Sequence, residues 1–149
     1  MLLTGGGNLV KYNGNAPERD AVELFLLEWS LKNNKPCLGV CRGMQVIQNY
    51  FGIKLKPVLD HVSSRHSLNV KEGYRLSNIL SELNSVNAYH DYGATLGSDE
   101  LPTVAKSSDG VVMAVEHINK KLFGVMWHSE RESPFIEQEK NIFKFVFDQ

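Results

Sequence analysis

Cys41 stands in Gly39-Val40-Cys41-Arg42-Gly43, at the end of the apolar run Cys37–Cys41 and just before the segment Gly43–Phe51, which reads as a helix stopped by Gly52. The run reads as a buried strand, so this G-x-C-x-G is a strand-to-helix turn of nucleophile-elbow type. Flanking glycines let the strand and helix backbones approach closely. The thiol then sits at the helix N-terminus, where the dipole is expected to favour thiolate. The Arg42 backbone N–H points where an oxyanion would form. A cysteine nucleophile needs a base, and the base needs an orienting carboxylate. Trp127-His128-Ser129-Glu130 offers both, because His128 and Glu130 fall on one side of an extended backbone. Leu3-Thr4-Gly5-Gly6-Gly7-Asn8 follows an apolar stub, and its glycines allow a second backbone amide to face a ligand. Each piece also has a plainer reading: a structural buried cysteine, an exposed histidine beside a solvated glutamate, a flexible turn.

Other chemistries fit less well. The glycine run has no Gly-Lys-Ser/Thr after it, which argues against a phosphate loop. Cys37 and Cys41 are spaced C-x3-C with no second cysteine pair and no H-x3-5-H, so no metal site is expected and Cys37 reads as core. Two cysteines make no disulfide framework, and reduced thiols fit a cytoplasmic location.

The elements that must hold these residues follow from patterning. Met1–Leu3 is an apolar stub. Pro17 opens a helix with Glu18 and Asp20 in its first turn, and Val22, Phe25, Leu26 and Trp29 recur at helical spacing. Ser67–Val70 reads as a strand and Leu76–Leu83 as a short helix. Val111–His117 and Lys121–Trp127 read as an antiparallel pair, and Phe135–Phe147 as a further helix. Strands alternating with helices place the elbow at a strand's C-terminal end in an α/β sheet. The chain has 149 residues, 42% of them apolar and 22% charged, with a net charge of −1. This excludes wholesale disorder and gives no electrostatic footprint for nucleic acid or an anionic membrane. Area scaling predicts a folded surface of roughly 7,700 Å² and a single domain over residues 1–149. No signal-type or bilayer-spanning stretch is expected.

Taken together, the motifs resemble the class I glutamine amidotransferase-like superfamily, and within it the γ-glutamyl-γ-aminobutyrate hydrolase-like branch. The resemblance rests on Leu2 to Asn8, Arg19-Asp20-x-x-Glu23, Pro36 to Gln45, Val86-Asn87-Ala88-Tyr89-His90 and Gly124 to Glu130. It implies a three-layer flavodoxin-like α/β sheet, here short of the family's N-terminal strands. It implies a Cys41–His128–Glu130 triad hydrolysing a γ-glutamyl amide through a thioester, without a cofactor. The oxyanion donors would be the N–H of Arg42 and of Gly6 or Gly7. Gln45, His90 and Asn8 match positions lining the glutamyl pocket. Asn87 is expected to shape the loop presenting His90, and Arg19, Asp20 and Glu23 to be exposed or capping charges. Ser129 and Met126 depart from the family's usual Pro and Gln. His61, Arg65-His66 and the stretch after His128 are similar to γ-glutamyl-CDP-amidate hydrolases of surface-polysaccharide synthesis. Arg42, Arg65 and Arg131 would then form a basic mouth for a phosphate-bearing leaving group. Two alternatives stay open: a glutaminase subunit feeding ammonia to a synthase, and an inactive domain whose open sheet is covered by a second copy or a partner chain.

Overall fold

The computed structural model describes residues 1–148. The chain runs through β1 (Leu2–Leu3), α1 (Pro17–Lys32), β2 (Cys37–Val40) and α2 (Arg42–Tyr50). Then come β3 (Lys56–Pro57), β4 (Val62–His66), β5 (Asn69–Val70), α3 (Ser77–Ser81), β6 (Val86–Tyr89) and β7 (Tyr92–Gly93). β8 (Thr103–Lys106), β9 (Val112–Glu116), β10 (Leu122–Val125) and α4 (Glu137–Phe147) follow. The main sheet has the order β1-β2-β10-β9-β8-β5. β1, β2 and β10 are parallel, whereas β9, β8 and β5 continue antiparallel. Antiparallel pairs β3–β7 and β4–β6 lie outside it.

Alternation along β10 places a helix on each face of this sheet. A Cβ on Gly124 would meet the Met44 side chain of α2, while Phe123, one residue earlier, packs edge-on against Phe145 of α4 at 5.6 Å. β2 and β10 are buried throughout, as a strand covered on both faces must be. Their apolar side chains join Met44, Ile47 and Trp127 in a contiguous core. The accessible surface is 7695 Å², the area expected for a folded chain of this mass.

Three expectations change. The helical stripe on α1 forms a helix but faces outward: Val22, Phe25 and Trp29 are exposed, while Glu23, Leu27 and Ser30 are buried. Periodicity identifies a helix without identifying its buried side, and here the ion pair of Glu23 with the buried Arg42 on the neighbouring helix decides it. The Ser67–Val70 strand shrinks to Asn69–Val70, and Val62–His66 forms a strand that patterning did not indicate. β1 lies at the sheet edge beside β2 alone, with Leu2 exposed. No helix among the described residues is long and apolar enough to cross a membrane.

Candidate active site

β2 ends at Val40 and α2 begins at Arg42, leaving one residue to make the turn. That residue is Cys41, with φ 49° and ψ −104°, a conformation costing a non-glycine residue about 1–3 kcal/mol. The flanking glycines are required by contact. A Cβ on Gly39 would lie 2.5 Å from the Gly43 carbonyl carbon, and one on Gly43 would lie 2.1 Å from the Leu3 carbonyl oxygen. The elbow is therefore wedged between α2 and β1, and the strain at Cys41 is held by backbone packing.

The Arg42 N–H faces the thiol and lowers its pKa, but burial outweighs it and pushes Cys41 up to about 11, with Glu130 adding to the rise. This corrects the thiolate expected from the helix N-terminus. Desolvation of a sulfur anion here exceeds what the Arg42 N–H returns, which favours the thiol over the thiolate.

His128 follows β10, and its Nδ1 lies 2.6 Å from Glu130 Oε1. A carboxylate accepts only, so Nδ1 carries the proton and Nε2 is left as the basic nitrogen. The ring lies against the glycine loop: a Cβ on Gly5 would sit 2.4 Å from His128 Cε1. Glu130 stands behind the imidazole with its side chain 60% exposed, off the pocket wall. Asn87 on β6 fixes the His128 backbone, accepting its N–H at 2.9 Å and donating to its carbonyl at 2.8 Å. The expectation that Asn87 shapes the loop before His90 is thus corrected.

Gly6, Gly7, Asn8, Cys41, Gln45, His90 and His128 all line one pocket of about 150 Å³. Tyr89 and Arg131 line it too, with the Arg131 guanidinium 3.9 Å over the Tyr89 ring. Tyr89 ends a strand and was legible only as part of a motif. Several wall residues are committed to other partners. Gln45 gives its amide N–H to the Tyr92 carbonyl at 3.0 Å, and Asn8 donates to Asp91 at 3.4 Å. His90 uses Nδ1 on the Tyr92 carbonyl and Nε2 on His61 Nδ1, at 3.0 and 3.2 Å, so it meets the pocket with ring carbons. Burial pushes its imidazole down to about 4, against the Tyr92 bond.

The basic mouth does not assemble. The Arg42 side chain is buried in ion pairs with Asp20 and Glu23, and Arg65 pairs with Glu132 at 2.7 Å. Arg131 alone of the three lines the pocket. Glu23 is buried rather than exposed, and the partly exposed Arg19 and Asp20 are tied to this cluster or to the glycine loop.

Behind His90, His61 bonds Asp109 at 2.9 Å and stacks on His66 at 4.0 Å with an 8° interplanar angle. His61, His66 and Asp109 have ligand atoms within 4.8 Å of one another. Imidazole lone pairs lie in the ring plane, however, so two parallel rings do not converge on one ion. The arrangement fits a hydrogen-bonded wall better than a metal centre.

A strained cysteine between strand and helix thus shares one pocket with a carboxylate-held histidine and a glycine loop, on a three-layer α/β fold. The architecture agrees with that of a glutamine amidotransferase from Thermotoga maritima, with a TM-score of 0.72 at 18% identity over 96% of this chain and 62% of that one. Residues 2–130 match Peptidase C26, and the chain belongs to that family. Among curated relatives, it is 30% identical over 135 residues to the γ-glutamyl-CDP-amidate hydrolase of Campylobacter jejuni, covering 89% of this chain and 62% of the relative. It is 31% identical over 146 residues to the γ-glutamyl-γ-aminobutyrate hydrolase PuuD of Escherichia coli, covering 81% of this chain and 58% of the relative. The chain thus spans about three-fifths of the length of these relatives.

Proposed function

We propose that this chain hydrolyses γ-glutamyl amides with Cys41 as nucleophile, His128 as base and acid, and Glu130 as the group that orients His128. The observation carrying this reading is the Cys41 backbone at φ 49°, a strain that turns the buried thiol towards the Arg42 N–H and into the pocket His128 shares. The names of the two relatives support the γ-glutamyl class of substrate.

Because the thiol is held protonated, attack and deprotonation are coupled. His128 Nε2 takes the proton as sulfur adds to the γ-carbonyl carbon, and Glu130 stabilises the imidazolium through Nδ1–H. The oxyanion forms against the N–H groups of Arg42 and of Gly6 or Gly7. Collapse breaks the C–N bond, and His128 returns its proton to the departing amine nitrogen. The γ-glutamyl thioester remains. Water then gives a proton to His128 and adds to the thioester carbon, and collapse of the second tetrahedral species releases glutamate and the Cys41 thiol.

Arg131 supports a leaving group that carries phosphate, since its guanidinium lines the pocket stacked on Tyr89. The test is to incubate the purified chain and Cys41→Ala with γ-glutamyl-γ-aminobutyrate, glutamine and a γ-glutamyl phosphoramidate. Cys41-dependent glutamate release, with the thioester trapped by mass spectrometry, is expected. An inert but folded chain, or activity lost in Cys37→Ala and kept in Cys41→Ala, would overturn the reading. Arg131→Ala should raise KM for the phosphoramidate by tenfold or more and leave γ-glutamyl-γ-aminobutyrate within threefold.

A further inference from the structure

The glycine loop is held from behind. Arg19 on α1 donates Nη1 to the Gly6 carbonyl at 2.8 Å, and Nη2 to the Gly5 carbonyl at 2.9 Å and the Thr4 carbonyl at 3.0 Å. Within one peptide unit, C=O and N–H point in opposite directions across a rigid plane. Fixing the Gly5 carbonyl therefore aims the Gly6 N–H away from Arg19, and fixing the Gly6 carbonyl does the same for the Gly7 N–H. Away from Arg19 lies the pocket that Gly6 and Gly7 share with Cys41. A run of three glycines has no stiffness of its own, and Gly6 and Gly7 sit at φ 106° and 70°, where other residues are strained.

The same guanidinium meets the other half of the site. Arg19 Nε donates to Glu23 Oε1 at 2.9 Å, and Glu23 Oε2 accepts from the buried Arg42 guanidinium, whose Nη2 also reaches Asp20. Glu23 is itself buried on the inner face of α1. Two cations and two carboxylates balance, which is what allows charges to sit so deep. One carboxylate thus joins the residue that holds the glycine loop to the residue whose backbone N–H faces the thiol.

We infer that Arg19 is a positioning residue that aims the Gly6 and Gly7 amides, with Glu23 locking it in register with Arg42, so that both halves of the oxyanion hole move as one unit. This rests on the γ-glutamyl hydrolase reading for its catalytic consequence, though not for its structural one. It also accounts for the orientation of α1, which buries Glu23 and leaves Phe25 and Trp29 in solvent.

The test uses Arg19→Ala and Arg19→Lys in the full chain. Arg19 is 34% exposed, and Glu23 keeps Arg42 as partner, so both variants are expected to fold. Hydrolysis of a γ-glutamyl anilide should lose 10²-fold or more in kcat, with KM within threefold, the scale of a lost oxyanion donor. Alkylation of Cys41 by iodoacetamide needs no oxyanion hole and should stay within twofold. Lysine keeps the charge without the planar fork, so Arg19→Lys should regain the melting temperature but not kcat. Backbone order parameters for the Gly6 and Gly7 amides should fall from about 0.85 to below about 0.6 in Arg19→Ala. Unchanged order parameters would overturn the inference, as would an unchanged kcat in an active chain. If the parent hydrolyses no γ-glutamyl amide, the function reading fails and the order parameters alone decide the positioning role.

Discussion

Asn87 grips His128 by its backbone, taking the N–H with Oδ1 and giving an N–H to the carbonyl, both at under 3 Å. A third hydrogen bond, donated by Asn87 to Glu132 at 2.9 Å, extends the grip past Glu130. The histidine is thus fixed at its peptide by β6 and at its ring by Glu130. Asn87→Ala leaves a buried N–H without an acceptor, which costs about 1–3 kcal/mol. We expect a lower urea midpoint and a kcat reduced by about 10–100-fold, with the Cys41 alkylation rate unchanged. Full activity in Asn87→Ala would show that the ring contact alone positions the base.

Gly5 tests the ring directly. A methyl group there would overlap the His128 imidazole at Cε1, so the ring must shift to make room. Gly5→Ala should therefore displace the base and reduce kcat by 10²-fold or more. Its melting temperature should change little, because Gly5 is only partly buried. NMR titration of His128 in the variant should show altered ring shifts.

The thiols predict an alkaline limb. Burial pushes both Cys37 and Cys41 up to about 11 from an ordinary value of 9.0. The folded chain then binds these protons more tightly than the unfolded one. Their contribution to stability is present below pH 9 and is lost as pH rises towards about 11. Unfolding midpoints measured across that window should fall, and Cys37→Ala should flatten the slope by removing one thiol. Iodoacetamide should react with Cys41 at a rate that climbs throughout this range without a plateau near neutrality.

The acid limb has a named source as well. Burial raises the Asp109 carboxyl, but the Ser107 hydroxyl and His61 outweigh it and bring it down to about 2. A carboxylate held low in the folded state stabilises above its unfolded value near 4, and that contribution disappears as pH falls towards about 2. Asp109→Asn should therefore be less stable than the parent at pH 6 and converge with it near pH 2. The difference should be small, since the side chain is half exposed.

Local chemistry was legible and distant contacts were not. Gly39, Cys41 and Gly43 announce the elbow because the strand, turn and helix they require lie in one short stretch. His128 and Glu130 lie two residues apart, and the structure joins them. Asn87 reaches His128 across 41 positions and Arg19 reaches Gly5 across 14, so no spacing rule points to either. Arg42 illustrates the opposite failure: its charge suggested an anion-binding mouth, whereas its side chain turns beneath the elbow to meet Glu23. The antiparallel pairings were only partly visible, because β5 at the edge of the main sheet is two residues long and β4, outside that sheet, carries Ser63 and Ser64 rather than an apolar alternation.

The two tryptophans occupy opposite surroundings: Trp127 is fully buried one residue before His128, and Trp29 stands 45% exposed on the outer face of α1. This separation supplies an intrinsic optical handle on the pocket. Acrylamide should quench the solvent-facing indole first and leave emission from the buried one. In Trp29→Phe, the remaining fluorophore would report movements beside the base as substrate enters, with no dye attached.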